Sequence, residues 1–212
     1  MNSPSFDAYL FDLDGTLLDS VPQYEEADRE YFLNLGVHIS HEDFQEVYMG
    51  GWDLTDQWFL RAGIFLADLP RRKHERAQIY RRVLAEKVDM YADADGVLAE
   101  LRTNHKTAIV TAAPRMCVDL VDERIGIRKK VHMIVTADDV QFQKPDPEGL
   151  LLASTHLEIP PERCAYVGDL PSDLKAAEAA GKFPILIKRE HTPQGAERFA
   201  KRVITSLREL LG

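Results

Sequence analysis

Apolar positions follow two different rhythms along this chain. Between Leu18 and Met90 they recur at helical spacing. Tyr24, Ala27, Tyr31, Phe32 and Leu35 mark one helix that stops at Gly36. Ser40, with Asp43 three residues on, has the form of a capping box and opens a short helix through Phe44, Val47 and Tyr48. Met49-Gly50-Gly51 breaks that pattern. A third helix is expected from Leu54 to Ala62, and a fourth from Leu69 to Val88 with Ile79, Tyr80, Val83, Leu84 and Val88 on one face. Elsewhere, short β-branched runs alternate with helical stretches. AYLF, TAIVTAA, HMIVTAD, CAYVGD and PILIKR read as strands, and DGVLAELRTN, RMCVDLVDERIG, PEGLLLASTHL and PSDLKAAEAAG as helices. Such alternation predicts an α/β fold, a doubly wound, Rossmann-like parallel sheet covered on both faces. The first strand precedes the helical block, so the block reads as an insertion: residues 18–90 within a core made of 1–17 and 91–212.

In sheets of this kind ligands bind outside the carboxyl ends of the strands. The residues just beyond each strand are therefore informative. The first strand runs into DLDGT, which places Asp12 and Asp14 two residues apart and so on one side of the strand's end. The next ends in Thr111, the loop after HMIVTADD carries Gln143-Lys144-Pro145-Asp146, and AYVGDLPSD ends in Asp169 and Asp173. Singly, each has an ordinary structural reading: an Asp-Gly turn, a strand-end hydroxyl, a loop cation, carboxylates at a helix amino terminus. Jointly they gather on one edge of the sheet. Carboxylates that close ionise together only with a cation or a proton between them.

Composition narrows the setting. The chain has 212 residues, 45% hydrophobic and 29% charged, enough to bury a sizeable core. A net charge of -9 argues against general nucleic-acid binding. The helix RRKHERAQIYRRVLAEK carries seven Lys/Arg against two Glu, and reads as a solvated outer face. Cys117 and Cys164 imply no disulfide framework; they suit a reducing compartment and read as small buried apolar residues. No apolar run approaches a membrane span, and the start lacks the order of a secretory leader. The expectation is a cytoplasmic chain with no membrane or nucleic-acid partner. His38, His41 and His105 read as surface residues, Trp58 and Phe59 as packing.

DLDGT, the Thr111 strand end, KPDPEG from Lys144 and GDLPSD from Gly168 together resemble the haloacid-dehalogenase superfamily of phosphohydrolases, in order and spacing across essentially the whole chain. The insertion looks like the helical cap of its phosphoglycolate phosphatase and β-phosphoglucomutase branch. The resemblance implies that Asp12 is the nucleophile, forming an aspartyl-phosphate, and that Asp14 is the general acid and base. It implies that Thr111, Lys144 and the backbone amide of Ala112 bind the phosphoryl group. Mg²⁺, which takes hard oxygen ligands, would be held by Asp12, the backbone carbonyl of Asp14 and Asp169, with Asp173 binding directly or through water. Asp12, Asp14, Asp169 and Asp173 sum to minus four, against plus three from Mg²⁺ and Lys144. One carboxylate is left over, and Asp14, whose side chain the metal does not need, is expected to hold the proton. Two positions depart from the family's pattern: Ala112, where a small polar residue is often found, at the expense of a phosphate contact, and Leu170, where a Ser or Thr commonly follows the metal-binding Asp, at the expense of a hydrogen bond near the metal.

The implied function is a Mg²⁺-dependent phosphatase for a small phosphorylated metabolite, monomeric or weakly dimeric. The alternatives are a phosphosugar mutase of the same fold and a non-catalytic regulatory protein. The latter's mark would be loss of Asp12, Asp14 or Lys144, all of which are present. Trp52 and Asp53, beside two glycines, are candidates for substrate selection, with packing the competing role for Trp52.

Overall fold

AYLF forms β1 (Ala8–Phe11) in the computed structural model, which describes residues 5–50 and 55–212. All four residues are buried because β1 is a central strand. On one side it pairs with β2 (Lys106–Val110), which pairs in turn with β3 (Met133–Val135). On the other side lies β4 (Cys164–Gly168), followed by β5 (Phe183–Ile187) and β6 (Arg202–Ile204). Every pairing is parallel, in the order β3-β2-β1-β4-β5-β6. The chain winds outward from β1 in one direction and from β4 in the other. The gap outside the ends of β1 and β4 is therefore the topological switch point, where doubly wound sheets bind ligands. The sequence pattern did not anticipate β6: Arg202 and Val203 are exposed, and three residues give no periodicity to read.

Helices cover the sheet. Ala8, Leu10, Ala108, Val110, Cys164 and Tyr166 share a core with Leu150 and Ala153 of α7 (Glu148–Leu157) and Ala176 and Ala177 of α8 (Pro171–Ala179). Ala94, Val97, Leu98 and Leu101 of α5 (Ala94–Asn104) are buried, and α5 packs on β2 and on the carboxy-terminal 3-10 turn Leu207–Leu211. α6 (Arg115–Ile125) buries Val118 and Val121 and stops at Gly126 in the left-handed region.

Residues 1–19 and 89–212 make one unit and residues 20–88 another. The two connecting segments are pinned within the first unit: the Asp19 amide donates to Asp89 O and the Tyr91 amide to Leu17 O, both at 3.0 Å. The second unit consists of α1 (Val21–Asn34), α2 (His41–Gly50), α3 (Thr55–Arg61) and α4 (Leu69–Lys87), as far as its residues are described. The Ser40–Asp43 capping box is present, each residue's side chain accepting from the other's amide at 3.0 Å. α2 is described as far as Gly50, within the Met49-Gly50-Gly51 segment where the break is expected, and Gly51 lies outside the described residues. Phe32 packs edge-on to Trp58 and obliquely on Phe59, which fixes α3 against α1.

The basic helix α4 departs from a plain solvated face. Arg76 is buried and grips Asp28 of α1 through two bonds of 2.6 and 2.8 Å. Arg82 and Lys87 pair with Glu30 and Glu26 of the same helix. Much of the basic stripe is thus matched by the acidic stripe of α1. Cys164 is buried, and Cys117 only partly so. Among the described residues no helix is long and apolar enough to cross a membrane.

Candidate active site

The site begins where β1 ends. The Asp12 amide continues the ladder, donating to Val167 O of β4 at 2.9 Å, so the Asp12 carboxylate emerges at the switch point. The chain then reverses through Gly15 (φ 77°), a conformation that glycine adopts without strain. β4 delivers Asp169 directly, and the first turn of α8 delivers Asp173, which accepts from the Leu170 amide at 3.0 Å. Gly168 is required for this approach: a Cβ there would lie 2.4 Å from the Asp173 Cβ.

Asp12, Asp169 and Asp173 are all buried, and one carboxylate oxygen from each lies within 4.8 Å of the others. Lys144 enters from the loop before α7. Its Nζ donates to Asp12 Oδ1 at 2.5 Å, Asp173 Oδ1 at 2.6 Å and the Tyr166 hydroxyl at 3.0 Å. That hydroxyl in turn donates to Val110 O at 2.9 Å. Thr111 is buried just beyond β2, its hydroxyl accepting from the Ala113 amide at 3.0 Å, with Ala112 half-buried between them. Asp14 is half-buried and stands outside the carboxylate trio. Trp52 and Asp53 lie outside the described residues.

The electrostatics follow from burial. Desolvation pushes the Asp12 carboxyl well above the usual range; Lys144 opposes this, while Asp173 and Asp169 add to it. Desolvation likewise raises Asp173. For Lys144 burial favours the neutral amine, but Asp12 and Asp173 overcome it and hold the ammonium charged. Three ionised carboxylates against one ammonium leave two negative charges in a buried space. A divalent cation closes that balance, and an all-oxygen donor set suits a hard ion such as Mg²⁺. The residues present fit the metal.

Sequence reasoning missed several contributors. Thr16 donates to Asp169 Oδ1 at 2.6 Å, and His191 Nε2 lies 2.9 Å from Asp169 Oδ2. Thr16 stands inside the DLDGT motif, but nothing local marks its partner, and Tyr166 occupies an inward position of CAYVG. His191 sits in the loop after β5, where no periodicity marks it.

Comparison with known proteins agrees with this geometry. Residues 6–181 match the haloacid dehalogenase-like hydrolase family. The chain is 31% identical to a phosphoglycolate phosphatase of Pseudomonas putida over 178 residues, 81% of this chain and 65% of that relative, just under two thirds of its length. It is 28% identical to an N-acetylmuramic acid 6-phosphate phosphatase of Pseudomonas aeruginosa over 180 residues, 82% of this chain and 78% of the relative. Among solved structures, CbbY from Rhodobacter sphaeroides in complex with phosphate superimposes with a TM-score of 0.82 at 27% identity, covering 97% of this chain and 96% of that one. A phosphoglycolate phosphatase-like protein of Lactobacillus plantarum, 22% identical, shares the fold with a TM-score of 0.85 over 98% and 99% of the two chains. With carboxylates converging at the switch point of a parallel sheet and a family match across most of its length, this chain belongs to the haloacid dehalogenase-like hydrolases.

Proposed function

We propose that the chain is a Mg²⁺-dependent phosphatase that hydrolyses a small phosphomonoester through an aspartyl-phosphate on Asp12. The observation that carries this reading is the Lys144 ammonium bridging Asp12 and Asp173 inside a buried carboxylate trio. Asp12, Asp169, Asp173 and the Asp14 backbone carbonyl would hold the metal. When bound, Mg²⁺ offsets the repulsion between the Asp12 carboxylate and an incoming phosphate dianion.

The residues then divide the work. Lys144 fixes one oxygen of Asp12, so the carboxylate meets phosphorus already oriented. An Asp12 oxygen bonds to phosphorus as the ester P–O bond breaks, and the leaving oxygen takes the proton from Asp14. Asp14 next removes a proton from water. That water attacks the phosphorus of the acyl phosphate, releasing inorganic phosphate and restoring the Asp12 carboxylate. The Thr111 hydroxyl and the Ala112 amide donate to the phosphoryl oxygens, and the Lys144 charge beside Asp12 attracts them, where charge must be held throughout. The helical unit, residues 20–88, serves as the cap that selects the substrate, with Trp52 and Asp53 as its candidate selecting residues.

Relatives named for phosphoglycolate and for a phosphorylated amino sugar support a small phosphorylated metabolite as substrate. Such a reaction needs no nucleic-acid or membrane partner, and the two free cysteines suit the cytoplasm. The test is a panel of phosphorylated metabolites scored by released phosphate. Mg²⁺-dependent release from at least one, lost in chelator and in Asp12→Asn, is expected. Phosphoryl return to a sugar instead of water would replace the phosphatase with a mutase. Undiminished turnover by Asp12→Asn would overturn the mechanism.

A further inference from the structure

We infer that His191 is a positioning residue for Asp169, donating to the carboxylate oxygen that Thr16 does not reach. This rests on the reading of Asp169 as a metal-binding carboxylate.

Asp169 is 0% exposed, and a buried carboxylate needs donors on both oxygens. Thr16 covers Oδ1, and His191 covers Oδ2 from a side chain only 8% exposed. A carboxylate oxygen accepts, so Nε2 carries the ring proton and donates it. A nitrogen so engaged is not also a metal ligand, and His191 stands outside the trio whose donor atoms lie within 4.8 Å.

The loop presenting the imidazole is itself held. The Arg189 amide donates to Thr192 Oγ1 at 2.9 Å, closing the turn around His191. The Arg189 guanidinium donates to Thr16 O at 3.1 Å and Asp93 Oδ1 at 3.0 Å, and lies over the Tyr91 ring at 3.8 Å. Arg189 therefore ties together the two segments that carry the donors of Asp169. One donor comes from the turn after β1 and the other from the loop after β5. Both donors are held by bonds within the protein, so the orientation of the carboxylate is set by the fold.

The test is Mn²⁺ binding to the full chain without substrate, followed by electron paramagnetic resonance, for wild type, His191→Ala and His191→Gln. Removing a hydrogen-bond partner of a metal ligand costs about 10–100-fold in affinity. His191→Ala is expected to bind Mn²⁺ that much more weakly, and His191→Gln, which keeps an amide donor, to recover most of the loss. Circular dichroism verifies that each variant is folded; should the alanine variant fail to fold, a His191→Leu variant gives the same comparison with glutamine. Unchanged affinity in the variant without a donor overturns the inference. So does an equal loss with glutamine, which would make shape rather than the donor the cause. A wild-type chain that takes up no Mn²⁺ overturns the metal reading itself, a result separate from either.

Discussion

Replacing Lys144 with methionine removes the one ammonium that, among the described residues, pairs with the buried carboxylates, while keeping most of the side chain's length. Lys144 is 9% exposed and makes charge-assisted bonds of 2.5 and 2.6 Å to Asp12 and Asp173, whose side chains are 8% and 1% exposed. Breaking a buried ion pair by removing one partner typically costs about 3–5 kcal/mol, because the other charge stays buried without compensation. Here two carboxylates lose their partner at once, with Asp169 beside them, so the upper half of that range is expected. Urea unfolding followed by circular dichroism in excess chelator measures it. The double variant Lys144→Met/Asp173→Asn removes one of the stranded charges and should recover part of the loss. A Lys144→Met variant less than about 1 kcal/mol below wild type, the worth of an exposed pair, would mean that these charges are not buried together and would refute the electrostatic account of the site.

Gly168→Ala should cost about 1–3 kcal/mol through overpacking, because its Cβ would force Asp173 away from its place beside Lys144; thermal unfolding together with Mn²⁺ affinity reads both effects. Arg76→Met should destabilise the helical unit by about 3–5 kcal/mol, read by the fluorescence of buried Trp58, since Asp28 would keep its charge in a buried place. Asp14→Asn should slow single-turnover release of the leaving group by about 10²–10⁴-fold for an alkyl phosphate and far less for an aryl phosphate whose leaving group needs no proton; equal losses in that step would remove Asp14 as the acid. Burial acts to raise Asp93, but Arg189, the Leu207 amide and Ser206 together hold its carboxyl below the usual range, so its stabilisation is present above the unfolded pKa and is lost as pH falls through the folded one. Asp93→Asn should therefore be less stable than wild type at neutral pH, and the gap should close in acid; a gap unchanged with pH would show that the Asp93 charge contributes nothing.

The sheet was legible because parallel strands buried on both faces are written as short β-branched runs, and because each strand end carried a polar residue with no place in a core. Those features placed Asp12, Lys144, Asp169 and Asp173 on one edge, and the fold brings all of them into one buried group. Contributions that depend on partners distant in sequence were not legible. The bond from Thr16 to Asp169 spans 153 positions, and nothing local to His191 points to its carboxylate 22 residues away. Arg76 belongs to the same class: its helix reads as outward-facing until Asp28, 48 residues earlier, is found opposite. β6 escaped notice because its residues are exposed and few.

The central claim is that Asp12 is covalently phosphorylated during turnover. The direct measurement is a rapid acid quench of the enzyme with a turned-over phosphomonoester, followed by borohydride, which reduces an acyl phosphate to an alcohol. Peptide mass spectrometry then locates the product. The account predicts homoserine at position 12, dependent on substrate and absent from Asp12→Asn. Reduction at Asp14, or continued turnover at a quench time that captures no modified Asp12, would contradict it.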